Sequence, residues 1–243
     1  MKHAAVPEPT SPNSAGSSPE SVPVDTPVIR IRDVVFGYAP GQDVLRGASL
    51  EIRAGEAVGL IGANGSGKTT LLHLLCGLLT PRSGSVEVLG KPRRPKDFDE
   101  ILGRVGLLFQ DSDDQLFCPT VAEDVAFGPL NQGRSREEVA ELVRRTLEEL
   151  GLGGYENRVT YRLSGGEKRL AALAAVLAME PAALLLDEPT SGLDDKAAER
   201  VVSVLTRLSQ AKLIVSHDRP LLRRVCRRFV VLEDGRLRET TEV

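Results

Sequence analysis

The stretch Gly62-Ala63-Asn64-Gly65-Ser66-Gly67-Lys68-Thr69-Thr70 fits G-x-x-x-x-G-K-[ST], the pattern of a phosphate-binding loop (P-loop). A strand-like apolar run, 57–61, precedes the loop, and a helical run, 71–75, follows it. Glycine lets the backbone wrap closely around an anion, so that N–H groups and the helix N-terminus point at phosphate. We expect the Lys68 ammonium to reach the β- and γ-phosphates of a nucleotide and the Thr69 hydroxyl to bind Mg²⁺. The predicted nucleotide contacts in this loop are Gly62, Asn64, Gly65, Ser66, Gly67, Lys68, Thr69 and Thr70.

The bulk composition is that of an ordinary globular protein, with 41% hydrophobic and 27% charged residues among 243. A net charge of −3 gives no electrostatic support for a nucleic-acid partner, which usually needs a basic domain. The three cysteines are widely spaced and predict neither a disulfide framework nor a zinc site. No segment offers the roughly 20 apolar residues that a membrane span requires. We therefore expect any action at a membrane to depend on a partner.

The first part of the chain changes character near residue 28. Residues 1–27 are rich in Pro, Ser, Ala and Glu, with almost nothing to bury, so we predict a disordered N-terminal tail. Strands with alternating apolar residues are expected from Val28 onward. A further pair of strands, 48–53 and 57–61, is joined at Gly55. This start predicts an antiparallel β subdomain.

The clearest amphipathic helix is predicted over 135–150. Ser135 and Glu138 form a capping box, and one face carries Val139, Leu142, Val143, Thr146, Leu147 and Leu150. From residue 183 onward strands alternate with helices: strands at 183–186, 213–216 and 229–232, and a helix at about 196–208. The alternation predicts an α/β fold, a P-loop NTPase core whose mostly parallel sheet is covered by helices. One domain is expected over 28–243, with an α-helical subdomain at about 111–180.

The stretch Leu163-Ser164-Gly165-Gly166-Glu167 opens a second apolar helix. With the P-loop and four further motifs, it resembles the signature of the ATPase subunits of ATP-binding cassette (ABC) transporters, over about residues 28–240. The resemblance implies the ABC ATPase fold and phosphate contacts from Ser164, Gly165 and Gly166 at a positive helix end. A simple N-cap followed by a glycine turn is the alternative. The family usually has Gln where this chain has Glu167, and we expect the change to tune the site.

Two carboxylates and two further polar residues follow predicted buried strands. The resemblance implies that Asp187 holds Mg²⁺ through water and that Glu188 activates the attacking water as general base. It also implies that His217 contacts the γ-phosphate and orients Glu188, while Gln110 joins the shell of Mg²⁺ and water. The predicted metal ligands are therefore Thr69, Gln110 and Asp187, and the predicted cofactors are ATP and Mg²⁺.

Two other positions match the family. Tyr38 lies where an aromatic ring stacks on adenine, although a core tyrosine at a strand end would give the same sequence. The stretch 189–194 resembles the loop through which two ATPase subunits communicate.

The stretch after Gln110 resembles the energy-coupling-factor branch of the family, whose ATPases drive uptake of vitamins and transition-metal ions. Residues 111–121, acidic and then apolar, lie where a helix of an integral membrane subunit docks, and we expect Leu116 and Phe117 to line the docking groove. An ordinary surface loop is the alternative. Residues 176–181 resemble the cobalt and nickel importers, in which one ATPase type pairs with itself.

The resulting hypothesis is an ATP-hydrolysing subunit of an importer, a homodimer bound peripherally to the cytoplasmic face of the cell membrane. The sequence names no transported substrate, because specificity belongs to the membrane subunits. A soluble ABC ATPase acting in DNA repair, translation or cofactor assembly is the alternative. However, Lys68 and Ser164 are too close in sequence to hold the coiled-coil insert of repair proteins, and translation factors usually join two cassettes. A P-loop kinase would need neither the signature nor His217.

Overall fold

The structure is a computed structural model that describes residues 27–93 and 103–241. Its strands are β1 (Pro27–Phe36), β2 (Leu45–Arg53), β3 (Ala57–Ile61), β4 (Ser83–Val88), β5 (Lys91–Pro92), β6 (Val105–Leu108), β7 (Ala183–Asp187), β8 (Ala211–Val215), β9 (Arg228–Glu233) and β10 (Arg236–Thr240). Its helices are α1 (Lys68–Cys76), α2 (Val121–Asn131), α3 (Arg136–Glu149), α4 (Gly165–Leu177), α5 (Asp195–Arg207) and α6 (Arg219–Val225). Most of the predicted tail, 1–27, lies outside the described residues.

The larger sheet has six strands in the order β10-β9-β3-β8-β7-β6. All neighbours from β9 to β6 run parallel, and β10 alone is antiparallel to its neighbour. Every residue of β7 and β8 is buried, as expected for central parallel strands with both faces covered. The predicted α/β fold with a mostly parallel sheet is confirmed.

The smaller sheet is antiparallel, in the order β2-β1-β4-β5. The expected pairing of the strands on either side of Gly55 is wrong, because β2 pairs with β1 whereas β3 lies between β8 and β9 in the larger sheet. The burial patterns explain the separation. Exposed and buried residues are interspersed along β2, whereas the three central residues of β3 are all buried, so only β3 suits the middle of a covered sheet. The turn at Gly55 therefore carries the chain from one sheet to the other.

Helices α2, α3 and α4 pack against one another and share an apolar core with the larger sheet. The capping box of α3 is present, because the Glu138 N–H donates to Ser135 Oγ and the Ser135 N–H donates to Glu138 Oε2. The apolar face predicted for this helix is buried: Val139, Leu142, Val143, Thr146, Leu147 and Leu150. None of the helices in the described parts of the chain has both the length and the apolar character needed to cross a bilayer.

Strand β10 is not among the predicted elements. It forms a hairpin with β9 through Asp234 and Gly235, whose φ angles are 50° and 76°. Two consecutive positive φ angles define the turn that best suits a tight hairpin, and Asp-Gly is a preferred pair for it. This dipeptide was an available sequence signal for the strand.

Candidate active site

The carboxyl ends of four parallel strands meet at one edge of the larger sheet. The P-loop follows β3, Gln110 follows β6, Glu188 follows β7, and His217 follows β8. A cleft of about 800 Å³ at this edge brings together many of the predicted site residues: Tyr38, Asn64, Gly65, Gly67, Lys68, Thr69, Thr70, Gln110, Asp187, Glu188 and His217. Gly62 and Ser66 line an adjoining cleft on the outer side of the loop.

Gly67 is the N-cap of α1 and has a φ of 104°, in the left-handed region that favours glycine. A Cβ atom at this position would lie 2.6 Å from Val44 Cγ1, so any other residue would crowd the Val44 side chain just ahead of β2. Gly67 has no side chain with which to cap α1. The N–H groups of the first helical turn are therefore left to a ligand, and the helix dipole favours an anion there.

The side chain of Lys68 folds back over the P-loop. Its Nζ donates to the carbonyl oxygens of Gly62 and Ala63, both at 2.9 Å, and the residue is buried. These contacts use two of the three donors of the ammonium group. The loop thus holds one full positive charge at its centre, where a phosphate would lie.

Thr69 and Asp187 supply a pair of oxygen ligands for a small hard cation. Thr69 Oγ1 donates to Asp187 Oδ2 at 2.8 Å, and Asp187 is buried at the end of β7. The exposed Gln110 lines the same cleft. Hydroxyl, carboxylate and amide oxygens are the ligands that Mg²⁺ accepts, and its remaining positions go to water and phosphate. The residues present therefore fit Mg²⁺.

Glu188 has a φ of 45°, which is unusual for a residue other than glycine and marks local strain at this strand end. Its Oε2 accepts hydrogen bonds from Ser216 Oγ at 3.1 Å and from the His217 N–H at 3.2 Å. Its Oε1 is buried and has no hydrogen-bond partner within the described chain. One oxygen is thus anchored, and the other is an unsatisfied acceptor 3.6 Å from His217 Nε2.

The imidazole of His217 connects the end of β8 to the P-loop. Its Nε2 lies 3.1 Å from Asn64 Oδ1 and 3.6 Å from Glu188 Oε1. The side chain is 57% exposed, so a ligand in the cleft can reach it. The imidazole thus lies between the P-loop and the Glu188 carboxylate.

Tyr38 is 67% exposed, so the alternative of a core tyrosine is wrong. Its hydroxyl lies 3.0 Å from Thr70 Oγ1, and the Phe36 ring meets the Tyr38 ring edge to face at 5.1 Å. These two contacts hold the aromatic ring beside the P-loop at the mouth of the cleft. Such a ring offers a surface on which a nucleotide base can stack.

The signature lies apart from the P-loop cleft. Ser164 caps α4 in a capping box with Glu167, and neither Ser164 nor Gly166 lines the cleft that contains Lys68. Gly165 lines a second cleft of about 780 Å³, which reaches Thr69 and Asp187 from the side. The N-cap of the alternative hypothesis is thus present, but it leaves the start of α4 open to an anion. Within one chain, the structure does not bring Ser164 to the P-loop.

Two residues that organise the site are absent from the sequence predictions. Arg169 on α4 is 3% exposed and donates to the carbonyl oxygens of Phe109, at 2.6 Å, and of Gln110. Burial lowers the pKa of Arg169. A lone arginine inside an apolar helix was the available signal. Ser216, which anchors Glu188, lies next to His217, and adjacency to a predicted site residue was its only signal.

The segment predicted to dock on a membrane subunit contains one buried and one exposed apolar residue. The expectation that Leu116 lines a groove is wrong, because this side chain is 9% exposed and packs in the core shared by α2 to α4. Phe117 is 65% exposed and meets the half-exposed ring of Phe127 edge to face, with centroids 4.9 Å apart. Leu130 lies one turn beyond Phe127 and is also exposed. We call Phe117, Phe127 and Leu130 the aromatic patch.

Asp124 fixes the backbone beneath this patch. Its Oδ1 accepts the N–H groups of Phe117 and Cys118, both at 3.0 Å. Burial raises the pKa of Asp124, and these two hydrogen bonds partly oppose the rise. Burial and the neighbouring Asp124 carboxylate raise the pKa of the Cys118 thiol to about 11. A helix residue thus holds the preceding loop in one conformation.

Comparison with known proteins gives the same family as the motifs in the sequence. The profile of a family described as ABC transporter matches residues 45–191, more than half of the chain. A protein of Nitratidesulfovibrio vulgaris, provisionally named an ABC transporter ATP-binding protein, is 51% identical over 212 residues, which cover 86% of this chain and 77% of the relative. The energy-coupling factor transporter ATP-binding protein EcfA of Methanothermobacter thermautotrophicus is 44% identical over 216 residues, which cover 86% of this chain and 69% of the relative.

Solved structures also match along most of the chain. CbiO1 from Clostridium perfringens, described as part of the ABC transporter complex CbiONQ, has a TM-score of 0.79 and 32% identity, with 87% of each chain covered. A dimeric ATP-binding cassette in a post-hydrolysis state, bound to ADP and Pi, has a TM-score of 0.79 and 27% identity, with 87% of this chain and 97% of that chain covered. This chain therefore belongs to the ABC transporter family, as an ATP-binding and ATP-hydrolysing subunit of the energy-coupling-factor branch.

Proposed function

We propose that this chain powers an energy-coupling-factor importer that takes up a transition-metal ion, cobalt or nickel, or a vitamin through separate membrane subunits. The observation that carries the proposal is the buried Glu188 Oε1, which lies beside His217 and has no hydrogen-bond partner in the described parts of a chain that also exposes the aromatic patch. The unused acceptor on Glu188 suits a base that activates water for hydrolysis, and the exposed aromatic patch suits contact with a partner protein. The names of the methanogen relative and of the CbiO1 structure support the transport role.

In the proposed mechanism the P-loop binds and orients the nucleotide. Lys68 and the N–H groups of α1 bind the β- and γ-phosphates, and Tyr38 stacks on the base. Thr69, Gln110 and Asp187 would hold Mg²⁺, which when bound neutralises charge on the phosphate oxygens. Glu188 Oε1 accepts a proton from the attacking water, while Ser216 keeps the carboxylate in place. His217 orients the water against the terminal phosphate.

The separation of the signature from the P-loop favours a composite site. In a two-fold homodimer, Ser164, Gly165 and Gly166 of one copy would face the P-loop cleft of the other, giving two identical sites. The exposed Ser191 lines both clefts and the exposed Gly192 lines the second, in the region where the copies would meet. The match to a cassette dimer bound to ADP and Pi supports this arrangement. A heterodimer with a related ATPase is the alternative.

We place the chain at the cytoplasmic face of the cell membrane, bound peripherally through integral membrane subunits that dock near Asp111–Val121. The aromatic patch supplies the apolar contact, and nucleic acid has no part in the proposal. The proposed organisation is one ABC ATPase domain over 28–243, with a helical subdomain at about 111–180 and a tail at 1–27.

A double variant tests the docking surface. Phe117→Ser with Phe127→Ser should leave ATP binding and folding intact, because both side chains are exposed. Each buried aromatic contact contributes on the order of 1.5–3 kcal/mol, so binding of the membrane subunits should weaken by well over tenfold. Leu78→Ser, at another exposed apolar residue, is the matched control and should keep its partners.

The readouts are co-purification of the membrane subunits from native membranes and ATP-driven uptake of cobalt, nickel or vitamins into proteoliposomes. Uptake of one cargo by the native complex and its loss in the double variant would support the proposal. An ATPase that copurifies with no membrane subunit and responds to DNA or ribosomes would overturn it in favour of the soluble alternative.

A further inference from the structure

Glu167 and a bound phosphate would compete for the same hydrogen-bond donor, the Ser164 hydroxyl. Ser164 Oγ donates to Glu167 Oε2 at 2.8 Å, and the Ser164 N–H donates to the same oxygen at 2.8 Å. A serine hydroxyl has one O–H donor. A phosphate that binds Ser164 must therefore take this donor from the Glu167 carboxylate.

The carboxylate is also close enough to repel the phosphate. An oxygen that accepts from Ser164 Oγ would lie about 2.7 Å from it, and hence within about 6 Å of Glu167 Oε2. Two like charges at that separation, screened by nearby water, weaken binding by about threefold to tenfold. The glutamine usual in the family carries no charge to repel phosphate.

Arg158 opposes this repulsion. Its Nη1 lies 3.4 Å from Glu167 Oε1, and the Tyr155 hydroxyl donates to the same oxygen at 2.7 Å. The Arg158 guanidinium stacks over the Tyr155 ring, 3.6 Å from the centroid. The Ser164 N–H and the Tyr155 and Ser164 hydroxyls hold the pKa of Glu167 below its usual value, so the carboxylate stays charged. Among the described residues, Arg158 is thus the cation that forms an ion pair with the Glu167 carboxylate.

We propose that Glu167 and Arg158 act as opposed positioning residues that set how tightly Ser164 binds the phosphate of the second copy's ATP. Glu167 weakens that contact, and Arg158 restores it by neutralising the carboxylate. The inference rests on the composite site of the proposed function. It accounts for the replacement of the usual glutamine by a glutamate that is paired with an arginine.

The test measures the ATP concentration that half-saturates dimer formation, by size-exclusion chromatography or sedimentation, in a Glu188→Gln parent. Glu167→Gln should lower this concentration by about threefold to tenfold, and Arg158→Gln should raise it by a similar factor. Arg158→Gln added to Glu167→Gln should change it by less than about 1.5-fold, because no carboxylate remains to neutralise. Arg144→Gln is the matched control, since this arginine is also about half exposed but pairs with Glu141 and Glu148 on α3.

ATP binding to the monomer, followed with a fluorescent analogue, should be the same in all variants, because the signature does not touch the P-loop of its own chain. Shifts of the two single variants in the same direction, or an Arg158 effect that persists without Glu167, would overturn the inference. If the parent forms no dimer with ATP, the homodimer of the proposed function is wrong and the inference falls with it.

Discussion

The Ser216 hydroxyl donates to Glu188 Oε2 at 3.1 Å, whereas the other carboxylate oxygen of Glu188 is buried and has no hydrogen-bond partner among the described residues. The two oxygens therefore differ, because one is anchored by the protein and the other keeps an unused acceptor that could take a proton from a reacting water. Glu188→Gln should bind ATP normally but hydrolyse it at least about a hundredfold more slowly, because an amide oxygen is a poor base. Steady-state ATPase and nucleotide-binding assays check this, and near-normal turnover would exclude Glu188 as the base.

Ser216→Ala should lower kcat by roughly tenfold to a hundredfold, since a hydrogen bond to a charged group contributes about 1.5–3 kcal/mol. ATP affinity should change little, because Ser216 contacts Glu188 rather than the P-loop. Ser203→Ala, at an exposed serine on α5, should have no effect on turnover. Equal losses in kcat and in ATP affinity would argue that Ser216 supports the whole site and not Glu188 alone.

Mixing two inactive variants tests the composite site. Ser164→Arg disables the signature and Lys68→Ala disables the P-loop, so a heterodimer of the two holds one intact site. ATPase activity should reappear on mixing, to roughly a quarter of the native value when subunits pair at random. No recovery, in a sample where heterodimers are shown by a mass tag, would mean that each chain hydrolyses ATP alone.

Leu116 and Phe117 are adjacent, but truncation of Leu116 should destabilise the protein much more than truncation of Phe117. Leu116→Ala removes a core side chain and should cost about 2–5 kcal/mol of unfolding free energy, a fall of roughly 5–15 °C in Tm. Phe117→Ala removes an exposed ring that meets Phe127 edge to face and should cost about 0.5–1.5 kcal/mol. Calorimetry of both variants measures the two falls in Tm. Equal falls would mean that Phe117 is also a core residue.

Cys118 should react slowly with thiol reagents. With a pKa of about 11, roughly one part in a thousand is thiolate at pH 8, and the labelling rate should rise until the pH approaches that value. Asp124→Asn removes a negative charge that raises this pKa, so the midpoint of the rate profile should move to lower pH. Peptide mass spectrometry after timed alkylation gives the profile. A faster rate with an unmoved midpoint would indicate only that the loop has opened.

Features encoded by local pattern were predictable from the sequence, whereas those that depend on the neighbouring element were not. The P-loop, the capping box at Ser135 and the apolar face of α3 each follow from residue spacing alone. Which sheet β3 joins depends on the helices that cover the strand. The five apolar residues of β3 do not specify those neighbours. The same limit applies to Leu116, whose burial depends on α2 through α4 packing over it.

At the site, the predictions were strongest for residues that recur in a motif and weakest for their supports. Glu188 and His217 follow strands whose ends the sequence marks clearly. Ser216 and Arg169 act on other protein groups. The Ser216 hydroxyl donates to the Glu188 carboxylate, and the Arg169 guanidinium donates to backbone carbonyl oxygens. Such roles require the tertiary geometry, because nothing in the residue's own neighbourhood along the chain specifies its partner.

The position of Lys68 has a consequence for the entropy of nucleotide binding. Its ammonium is already held by Gly62 and Ala63, so the flexible side chain is ordered by folding and not by the ligand. Ordering a lysine side chain costs up to about 2 kcal/mol, and here that cost falls on the folding of the protein. The binding free energy that a phosphate gains from Lys68 is then only the difference between the attraction of the ammonium to a full negative charge and its attraction to two carbonyl dipoles. The loop should accordingly favour highly charged ligands, and a nucleoside without phosphates should gain nothing from Lys68.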